Sequence, residues 1–301
     1  MKVGIVGLGK MGSRLARKLH KDKHQVIVWN RTKEDILELQ KEVKVKSAQS
    51  LDELVQKLDK PRVIWIMVPH KAFDEVISSI NLEKNDILID GGNSYYKDTE
   101  KRYKNFKNKG IRFLGIGVSG GVHGEENGYS LMVGGDKSAY EYAKPILETL
   151  SSPNGAYDYF GEGGAGHFVK MVHNGIEYGM MQSIGEGFEV LEKSKYKINP
   201  LKIAKVYQKG TIISGFLMDR TAEALTPDPK LKNVVGEIAA TGEAEWTVEA
   251  AKEEGVKVEI IESSLNFRKK SKIDKEIKNS FTAKLVAALR NAFGGHEVKK
   301  K

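Results

Sequence analysis

Residues 3–20 restrict the possible folds of this 301-residue chain more than any other stretch. The apolar run Val3–Val6 predicts a short buried strand, Gly7-Leu-Gly-Lys-Met-Gly12 follows it directly, and Ser13–His20 has helical character. Glycines in a G-x-G-x-x-G loop allow a tight turn and let the backbone approach a pyrophosphate at the helix N-terminus. A second strand, Gln25–Trp29, follows at the distance expected for a dinucleotide-binding unit.

Strand and helix patterns alternate up to about residue 150. Further predicted strands are Val63–Val68, Ile87–Asp90, Phe113–Val118 and Leu131–Val133. The helix-like segments are Lys33–Gln40, Leu51–Leu58, Ala72–Ile77, Tyr95–Lys107 and Ala139–Leu150. Ser50 and Glu53 form a capping-box pattern at the start of one helix. This alternation predicts a mostly parallel, doubly wound sheet.

Strand patterns nearly vanish after residue 164. Predicted helices there are Phe168–Lys195, Leu201–Gln208, Ser214–Ala224, Glu243–Glu254 and Ile273–Ala292. Asn199 followed by Pro200 is typical of an N-cap with proline at the first helical position. The predicted fold class is therefore α/β, with a Rossmann-type domain at residues 1–164 and an all-helical substrate and dimerisation domain at residues 165–301.

Composition narrows the class of protein. The formal net charge is +9, but Lys and Arg are mixed with Asp and Glu along the chain, which favours an anionic small molecule over nucleic acid as the partner. The chain has no cysteine, so neither disulfides nor a thiolate metal site is expected, which is compatible with a cytoplasmic location. Met1 and Lys2 lead straight into the first strand, so no signal peptide is predicted, and no apolar run is long enough for a membrane span.

One predicted helix face carries four side chains suited to proton transfer. Lys170, His173, Asn174 and Glu177 are spaced i, i+3, i+4 and i+7, which places them on the same face. A lysine acts as a base when burial or a nearby cation favours its neutral form, and a glutamic acid can return the proton. The alternatives are a solvated charge face or a metal pair, but no further ligand cluster accompanies His173 and Glu177, so no metal is expected.

Two glycine-containing loops follow strands of the predicted sheet. These are Ile89–Ser94, with the sequence IDGGNS, and Gly117–Gly121, with the sequence GVSGG. Such loops lie at the carboxyl edge, where doubly wound sheets bind ligands, and paired glycines can present backbone N–H groups to an anion. Ordinary turns would show the same residue types, so either loop alone leaves the choice open.

The run from His167 to Tyr178, HFVKMVHNGIEY, closely resembles the active-site helix of the 6-phosphogluconate dehydrogenases. The resemblance extends over the whole chain, whose helical domain is shorter than in the long members. It implies oxidative decarboxylation of 6-phosphogluconate, a phosphorylated sugar acid, to ribulose 5-phosphate and carbon dioxide, as in the pentose phosphate pathway and gluconate utilization. Lys170 would take the proton of the C3 hydroxyl as hydride leaves C3, and Glu177 would protonate C1 of the enediol.

The resemblance also implies two sets of binding residues. The residues expected to hold the sugar acid are Asn93, Ser119, Gly120, Gly121, His173, Asn174 and Tyr178. Those expected at the coenzyme are Gly7, Leu8, Gly9, Lys10, Met11, Gly12, Asn30, Arg31, Thr32, Met67, Val68, Pro69 and Asn93. Arg268 matches the phosphate-binding arginine of the family. Arg290 and His296 match a pair that reaches a neighbouring subunit's site, which implies a homodimer or a larger even homo-oligomer.

The coenzyme expected is NADP, with NAD as the alternative. Short members that use NAD often carry an acidic residue at the end of the second strand, where it hydrogen-bonds the ribose 2′-hydroxyl. This chain has Asn30, Arg31 and Thr32 there. An arginine can pair with a 2′-phosphate and stack on adenine, so we expect Arg31 to confer the preference.

Glu245 departs from the family pattern, which usually has a basic residue just before the tryptophan found here as Trp246. A carboxylate near a phosphate is repulsive, so phosphate affinity is lower, or Glu245 turns away, or the substrate differs. The last case favours another β-hydroxyacid dehydrogenase that acts on a smaller, unphosphorylated acid. A non-catalytic dinucleotide-binding regulator would explain the charge but not the intact Lys170 and Glu177. The position of His123 has no evident explanation.

Overall fold

The computed structural model describes residues 1–239 and 242–300. Its backbone contacts divide the chain into two compact units, Met1–Met171 and Val172–Lys301. The boundary predicted after residue 164 falls just before the helix Ala165–Lys193, whereas the two units divide within that helix. No helix in the described ranges combines the length and the hydrophobicity that a membrane span requires.

The first unit is built on one eight-stranded sheet. Its strands are β1 (Lys2–Val6), β2 (Gln25–Trp29), β3 (Lys46–Ser47), β4 (Val63–Ile66), β5 (Ile87–Asp90), β6 (Arg112–Ser119), β7 (Ser130–Gly135) and β8 (Ala156–Gly161). Their order across the sheet is β3-β2-β1-β4-β5-β6-β7-β8, and all neighbours are parallel except β6 and β7. The predicted α/β doubly wound class is therefore confirmed.

Helices α1 to α7 belong to the same unit. They are α1 (Gly12–Lys21), α2 (Lys33–Glu42), α3 (Leu51–Gln56), α4 (Phe73–Ser78), α5 (Tyr96–Asn108), α6 (Gly124–Asn127) and α7 (Lys137–Ser151). The cap predicted at Ser50 is confirmed, since Ser50 Oγ accepts a hydrogen bond from the backbone N–H of Glu53. The reciprocal bond departs from the capping-box pattern, because the Glu53 carboxylate accepts from the N–H of Gln49, one residue before the cap. Strand residues alternate between two apolar cores, with Ile5 in one and Val6 in the other. Because both faces of the sheet are buried, the sequences of the central strands are continuous apolar runs.

Two strands were not predicted. The strand β3 has only two residues, too few for any periodic pattern. The strand β8 lies at the sheet edge and alternates between half-buried and exposed positions, so it lacks the apolar run used to find the other strands. Edge strands are partly solvated, and their sequences therefore carry a weaker hydrophobic signal.

The second unit is helical. It begins within α8 (Ala165–Lys193), which starts in the first unit. Its other helices are α9 (Pro200–Tyr207), α10 (Phe216–Leu225), α11 (Glu243–Glu253), α12 (Glu259–Ser271), α13 (Lys275–Asn279) and α14 (Phe281–Gly294). The cap predicted at Asn199 is confirmed, since its side chain accepts from the N–H of Leu201. The single helix predicted over Ile273–Ala292 is wrong. Ser280 breaks it, because its hydroxyl caps α14 by accepting from the N–H of Ala283. Helix α12 was not predicted at all.

Candidate active site

The glycine loop after β1 has a geometry that only glycine tolerates. Gly7 has a φ of +95°, and a Cβ there would lie 2.5 Å from the carbonyl oxygen of Met67. A Cβ on Gly12 would lie 2.0 Å from the carbonyl oxygen of Gly7. A Cβ on Gly9 would meet no atom within 4 Å, so the space beside Gly9 is open. The tight turn at Gly7 and Gly12 and the open space beside Gly9 fit the pyrophosphate of a dinucleotide.

The residues expected at the coenzyme surround this loop. Lys10 and Met11 lie between Gly9 and the first residue of α1, and Met11 is its N-cap. Met67, Val68 and Pro69 follow β4, and the N–H of Met67 donates to the carbonyl oxygen of Val6 at 2.7 Å. The segment after β4 therefore borders the turn that begins at Gly7.

Asn30, at the end of β2, connects the glycine loop to α2. Its Oδ1 accepts from the N–H of Leu8 at 2.9 Å. Its Nδ2 donates to the carbonyl oxygen of Thr32 at 3.0 Å and to Asp35 Oδ2 at 2.6 Å. Arg31 is exposed. Asp35 was not identified from sequence, because its proximity to Asn30 depends on the path of the chain into α2.

A buried ion-pair network holds the loop after β5. Asp90 Oδ1 accepts from the N–H of Gly92 at 3.1 Å, and Asp90 Oδ2 accepts from the hydroxyl of Ser94 at 2.7 Å. Arg102, on α5, donates to Asp90 at 3.1 Å and to both oxygens of Asp74 at 2.8 and 2.9 Å. The loop that presents the exposed Asn93 is therefore held in place by a buried carboxylate.

Charge within this network is compensated. Burial opposes the charge of Arg102, but the hydrogen bond that it donates to Asp74 and the charge of Asp90 outweigh this effect and raise the pKa of the guanidinium above its ordinary value. The hydrogen bond from Arg102 in turn lowers the pKa of the Asp74 carboxyl. Arg102 was missed from sequence, since nothing in α5 distinguishes it from the surrounding basic residues.

The second loop predicted to bind substrate lies at the end of β6. Ser119 ends the strand, and Gly120 and Gly121 have φ values of +123° and +55°, a backbone region that glycine adopts readily. The following short helix α6 is held to α1 by Arg17, which donates to both carboxylate oxygens of Glu125 at 3.0 and 3.1 Å. His123 ends a 3-10 turn directly after this loop, and the structure assigns it no function.

The first turns of α8 lie against β6 because two strand residues are glycines. A Cβ on Gly117 would lie 2.2 Å from the Cβ of Lys170, and a Cβ on Gly115 would lie 3.1 Å from His167 Nδ1. Lys170 is buried, with 7% of its surface exposed. The glycine of the substrate-loop motif thus makes room for the lysine predicted to be catalytic.

His167 is a buried neighbour of Lys170 that the sequence placed in the motif but gave no role. Its Nδ1 is 2.7 Å from the hydroxyl of Thr99, and both residues are buried. Burial lowers the pKa of His167, against the opposing charge of Asp90. His167 is therefore a neutral imidazole beside the loop that Asp90 holds.

In the second unit, α8 continues with the other residues of the predicted face. His173 Nδ1 is 3.0 Å from Asn174 Oδ1 and 4.0 Å from the carboxylate of Glu177. Tyr178 follows and is buried. The predicted face of Lys170, His173, Asn174 and Glu177 lies within this one continuous helix.

Two buried arginines meet near Tyr178 in the second unit. Arg268, on α12, is 1% exposed, and its guanidinium lies 3.2 Å from the centroid of the Tyr178 ring. Its Nη1 is buried and has no hydrogen-bond partner in the described chain. Burial is the main cause that lowers the pKa of Arg268 to about 10; Tyr178 opposes this shift, and the charge of Arg290 adds to it. Arg290, on α14, is also buried, and burial lowers its pKa.

The remaining residues of the predicted phosphate end lie at the surface or partly buried. His296 follows α14, and its ring packs edge-on against Phe293 with centroids 6.3 Å apart. Glu245, the departure from the family pattern, accepts from Lys269 Nζ at 2.6 Å, and both side chains are half exposed. The negative charge of Glu245 is therefore matched by a neighbouring cation.

A glycine loop that fits a pyrophosphate, a buried lysine in the first unit and buried arginines in the helical unit define the class of NAD(P)-dependent dehydrogenases with a helical second domain. Family models match both parts: the NAD binding domain of 6-phosphogluconate dehydrogenase at residues 2–161, and the 6-phosphogluconate dehydrogenase C-terminal domain at residues 166–280. The chain belongs to the 6-phosphogluconate dehydrogenase family, and the resemblance seen in the sequence is confirmed.

Individual relatives agree with this assignment. The putative 6-phosphogluconate dehydrogenase YqeC of Bacillus subtilis is 42% identical over 303 residues and covers 100% of both chains. The NAD(+)-dependent, decarboxylating 6-phosphogluconate dehydrogenase of Haloferax volcanii is 33% identical over 305 residues, covering 100% of this chain and 99% of its own. The structure of Plasmodium falciparum 6-phosphogluconate dehydrogenase, studied with NADP+ and with 6-phosphogluconate, superposes with a TM-score of 0.81 at 33% identity, covering 96% and 70% of the two chains.

Proposed function

We propose that this chain catalyses the oxidative decarboxylation of 6-phosphogluconate to ribulose 5-phosphate and carbon dioxide with NADP as the preferred coenzyme. We also propose that the protein is located in the cytoplasm and that its reaction belongs to the pentose phosphate pathway and to gluconate utilization. The observation that carries the substrate assignment is the pair of buried arginines, Arg268 and Arg290. A buried cation without a carboxylate partner is costly unless an anion compensates it, and a phosphate would do so.

The proposed chemistry rests on the residues of α8. Lys170, buried against Gly117, takes the proton from the C3 hydroxyl. The glycine loop would hold NADP, which would supply the acceptor for the hydride that leaves C3. The resulting 3-keto acid loses carbon dioxide while the protonated Lys170 donates a hydrogen bond to the new carbonyl oxygen. Glu177 then delivers a proton to C1 of the enediol, and no metal is required because the keto group takes up the electron pair.

The residues proposed to bind the substrate are given for each unit by itself. Asn93, Ser119, Gly120 and Gly121 would contact the sugar acid from the loops after β5 and β6. The residues proposed for the same role in the helical unit are His173, Asn174, Tyr178, Arg268, Arg290 and His296. The glycine N–H groups and the guanidinium groups supply hydrogen-bond donors for the carboxylate and the phosphate of the substrate. The smaller, unphosphorylated acid of a β-hydroxyacid dehydrogenase would use only some of these donors.

A substrate panel tests this assignment. Purified protein is assayed for reduced coenzyme with 6-phosphogluconate, gluconate and 3-hydroxyisobutyrate under identical conditions. We expect turnover with 6-phosphogluconate and release of one carbon dioxide per coenzyme reduced. Faster turnover of 3-hydroxyisobutyrate would support the β-hydroxyacid alternative, and reduction without carbon dioxide release would contradict the decarboxylating step.

The NADP preference rests on Arg31. It is exposed and has no described partner, so it is available for a 2′-phosphate. A charge-assisted hydrogen bond contributes roughly 1.5–3 kcal/mol, or about ten- to a hundredfold in affinity. We therefore expect Arg31→Ala to lower kcat/KM for NADP by that factor and leave NAD nearly unchanged. Lys33→Ala, which removes a neighbouring exposed charge, is the control; an equal loss in both variants would exclude a specific role for Arg31.

We also propose a homodimer or larger even assembly. The connection between α9 and α10 and the first residue of α10 expose apolar side chains, with Ile213 at 58% and Phe216 at 45% exposure. Exposed apolar clusters of this kind mark protein interfaces. Light scattering at assay concentrations should show at least two chains, and an active monomer would overturn the proposal.

A further inference from the structure

The amide of Asn30 is fully occupied by the chain itself. Because the N–H of Leu8 is a donor, the group 2.9 Å from it must be the Asn30 oxygen, which fixes the orientation of the amide. The two donors of Nδ2 then face the carbonyl oxygen of Thr32 and the carboxylate of Asp35. Asn30 therefore holds the carboxylate of Asp35 beside the end of β2 instead of offering a donor to a ligand.

Asp35 is a charge without a cation partner. It is half-buried in the first turn of α2, and no lysine, arginine or histidine in the described chain forms an ion pair with it. Arg31, four residues earlier, carries the opposite charge at the same turn and is not paired with it. The segment after β2 thus presents one cation and one anion at the position where proteins of this fold class bind the ribose of the coenzyme.

We propose that Asp35 is a specificity-determining residue that limits the NADP preference conferred by Arg31, so that the chain accepts both coenzymes. The inference rests on the coenzyme site proposed above. The carboxylate repels a 2′-phosphate, whereas its second oxygen can accept a hydrogen bond from the 2′-hydroxyl of NAD. Arg31 acts in the opposite direction. The ratio of the two affinities is set by the difference between these effects.

Direct coenzyme binding tests this proposal without catalysis. Dissociation constants for NADPH and NADH are measured by nicotinamide fluorescence on the full chain, for wild type and Asp35→Asn. The asparagine oxygen can still accept from Asn30, so the variant removes the charge and keeps the bridge. Competition by adenosine 2′,5′-bisphosphate and by AMP isolates the ribose end. Glu34→Gln, which removes an exposed carboxylate one residue away, is the matched control.

We expect Asp35→Asn to tighten NADPH binding by about three- to tenfold and to leave NADH unchanged or weaker, since a single nearby charge has effects of this order at a partly solvated site. The same change should tighten adenosine 2′,5′-bisphosphate but not AMP. Glu34→Gln should change each value less than about twofold.

An unchanged ratio of NADPH affinity to NADH affinity in Asp35→Asn would overturn the proposal. An equal loss of affinity for both coenzymes would also overturn it, because that result indicates a purely structural role for the carboxylate. The measurement also separates this inference from the proposed reaction. A wild type that binds both coenzymes but does not turn over 6-phosphogluconate would refute the reaction alone. A wild type that binds neither coenzyme would refute the coenzyme site and this inference together.

Discussion

Arg102 in the first unit and Arg268 in the second are both buried arginines, but they differ in their partners and in the pKa of the guanidinium. Both guanidinium groups are buried and both lie over an aromatic ring, Arg102 at 4.4 Å from the centroid of Phe73 and Arg268 at 3.2 Å from that of Tyr178. Arg102 has two carboxylate partners and a raised pKa, whereas Arg268 has a buried unpartnered nitrogen and a lowered pKa. One buried arginine therefore holds a loop, and we propose that the other binds an external anion.

The largest effect is expected at a third buried cation, Lys170. Losing a general base typically costs about 10²–10⁴ in rate. We expect Lys170→Met to lower kcat by this factor while coenzyme affinity, measured by fluorescence, stays close to wild type. Lys193→Met removes an exposed lysine from the same helix and should leave kcat unchanged. A Lys170→Met variant with wild-type kcat would show that the base lies elsewhere.

Arg102 should affect stability more than catalysis. Removing one partner of a buried ion pair leaves an uncompensated charge and costs about 3–5 kcal/mol. We expect Arg102→Met to lower the free energy of unfolding by this amount, because Asp90 remains buried. The exposed Lys101→Met on the same helix should change it by less than about 0.5 kcal/mol. Equal stability of the two variants in urea would contradict a loop-holding role for Arg102.

Arg268 should give the opposite result. Replacing a buried cation that lacks a carboxylate partner by an apolar side chain removes a desolvation cost. We expect Arg268→Met to unfold with a free energy equal to wild type or higher by on the order of 1 kcal/mol, in the absence of ligand. A loss as large as that of Arg102→Met would show that Arg268 also serves the fold, and the comparison between the two arginines would fail.

The smallest effect concerns the pH dependence of stability. His167 is buried and has a lowered pKa, so the unfolded chain binds its proton first as the pH falls below the ordinary value of 6.5. Stability contributed by the neutral ring is fully present above that pH and decreases below it, with a slope of at most about 1.4 kcal/mol per pH unit for one proton.

The variant His167→Asn should reduce this slope between pH 6.5 and 5, as measured by urea unfolding at several pH values. His20→Asn, on the surface-facing part of α1, should leave the slope unchanged. The same slope in all three proteins would mean that His167 is protonated in the fold or accessible to solvent.

The sequence was informative where function depends on local patterns. The glycine loop, the caps at Ser50 and Asn199, and the face of α8 all depend on residues close together in the chain. The break between α13 and α14 was missed because Ser280 is compatible with a helix until its side chain is seen capping the next one. The roles of Arg102 and Asp35 could not be read from sequence, since each depends on how a strand end and a following helix are placed together.

The specificity for a phosphorylated substrate tests the central claim most directly. The ratio of kcat/KM for 6-phosphogluconate to that for gluconate is measured in wild type, Arg268→Met and Lys269→Met, the last of which removes the adjacent exposed cation. We predict that the ratio falls by about ten- to a hundredfold in Arg268→Met and by less than about threefold in Lys269→Met. A ratio that is the same in wild type and Arg268→Met would contradict the assignment of this buried arginine to the substrate phosphate.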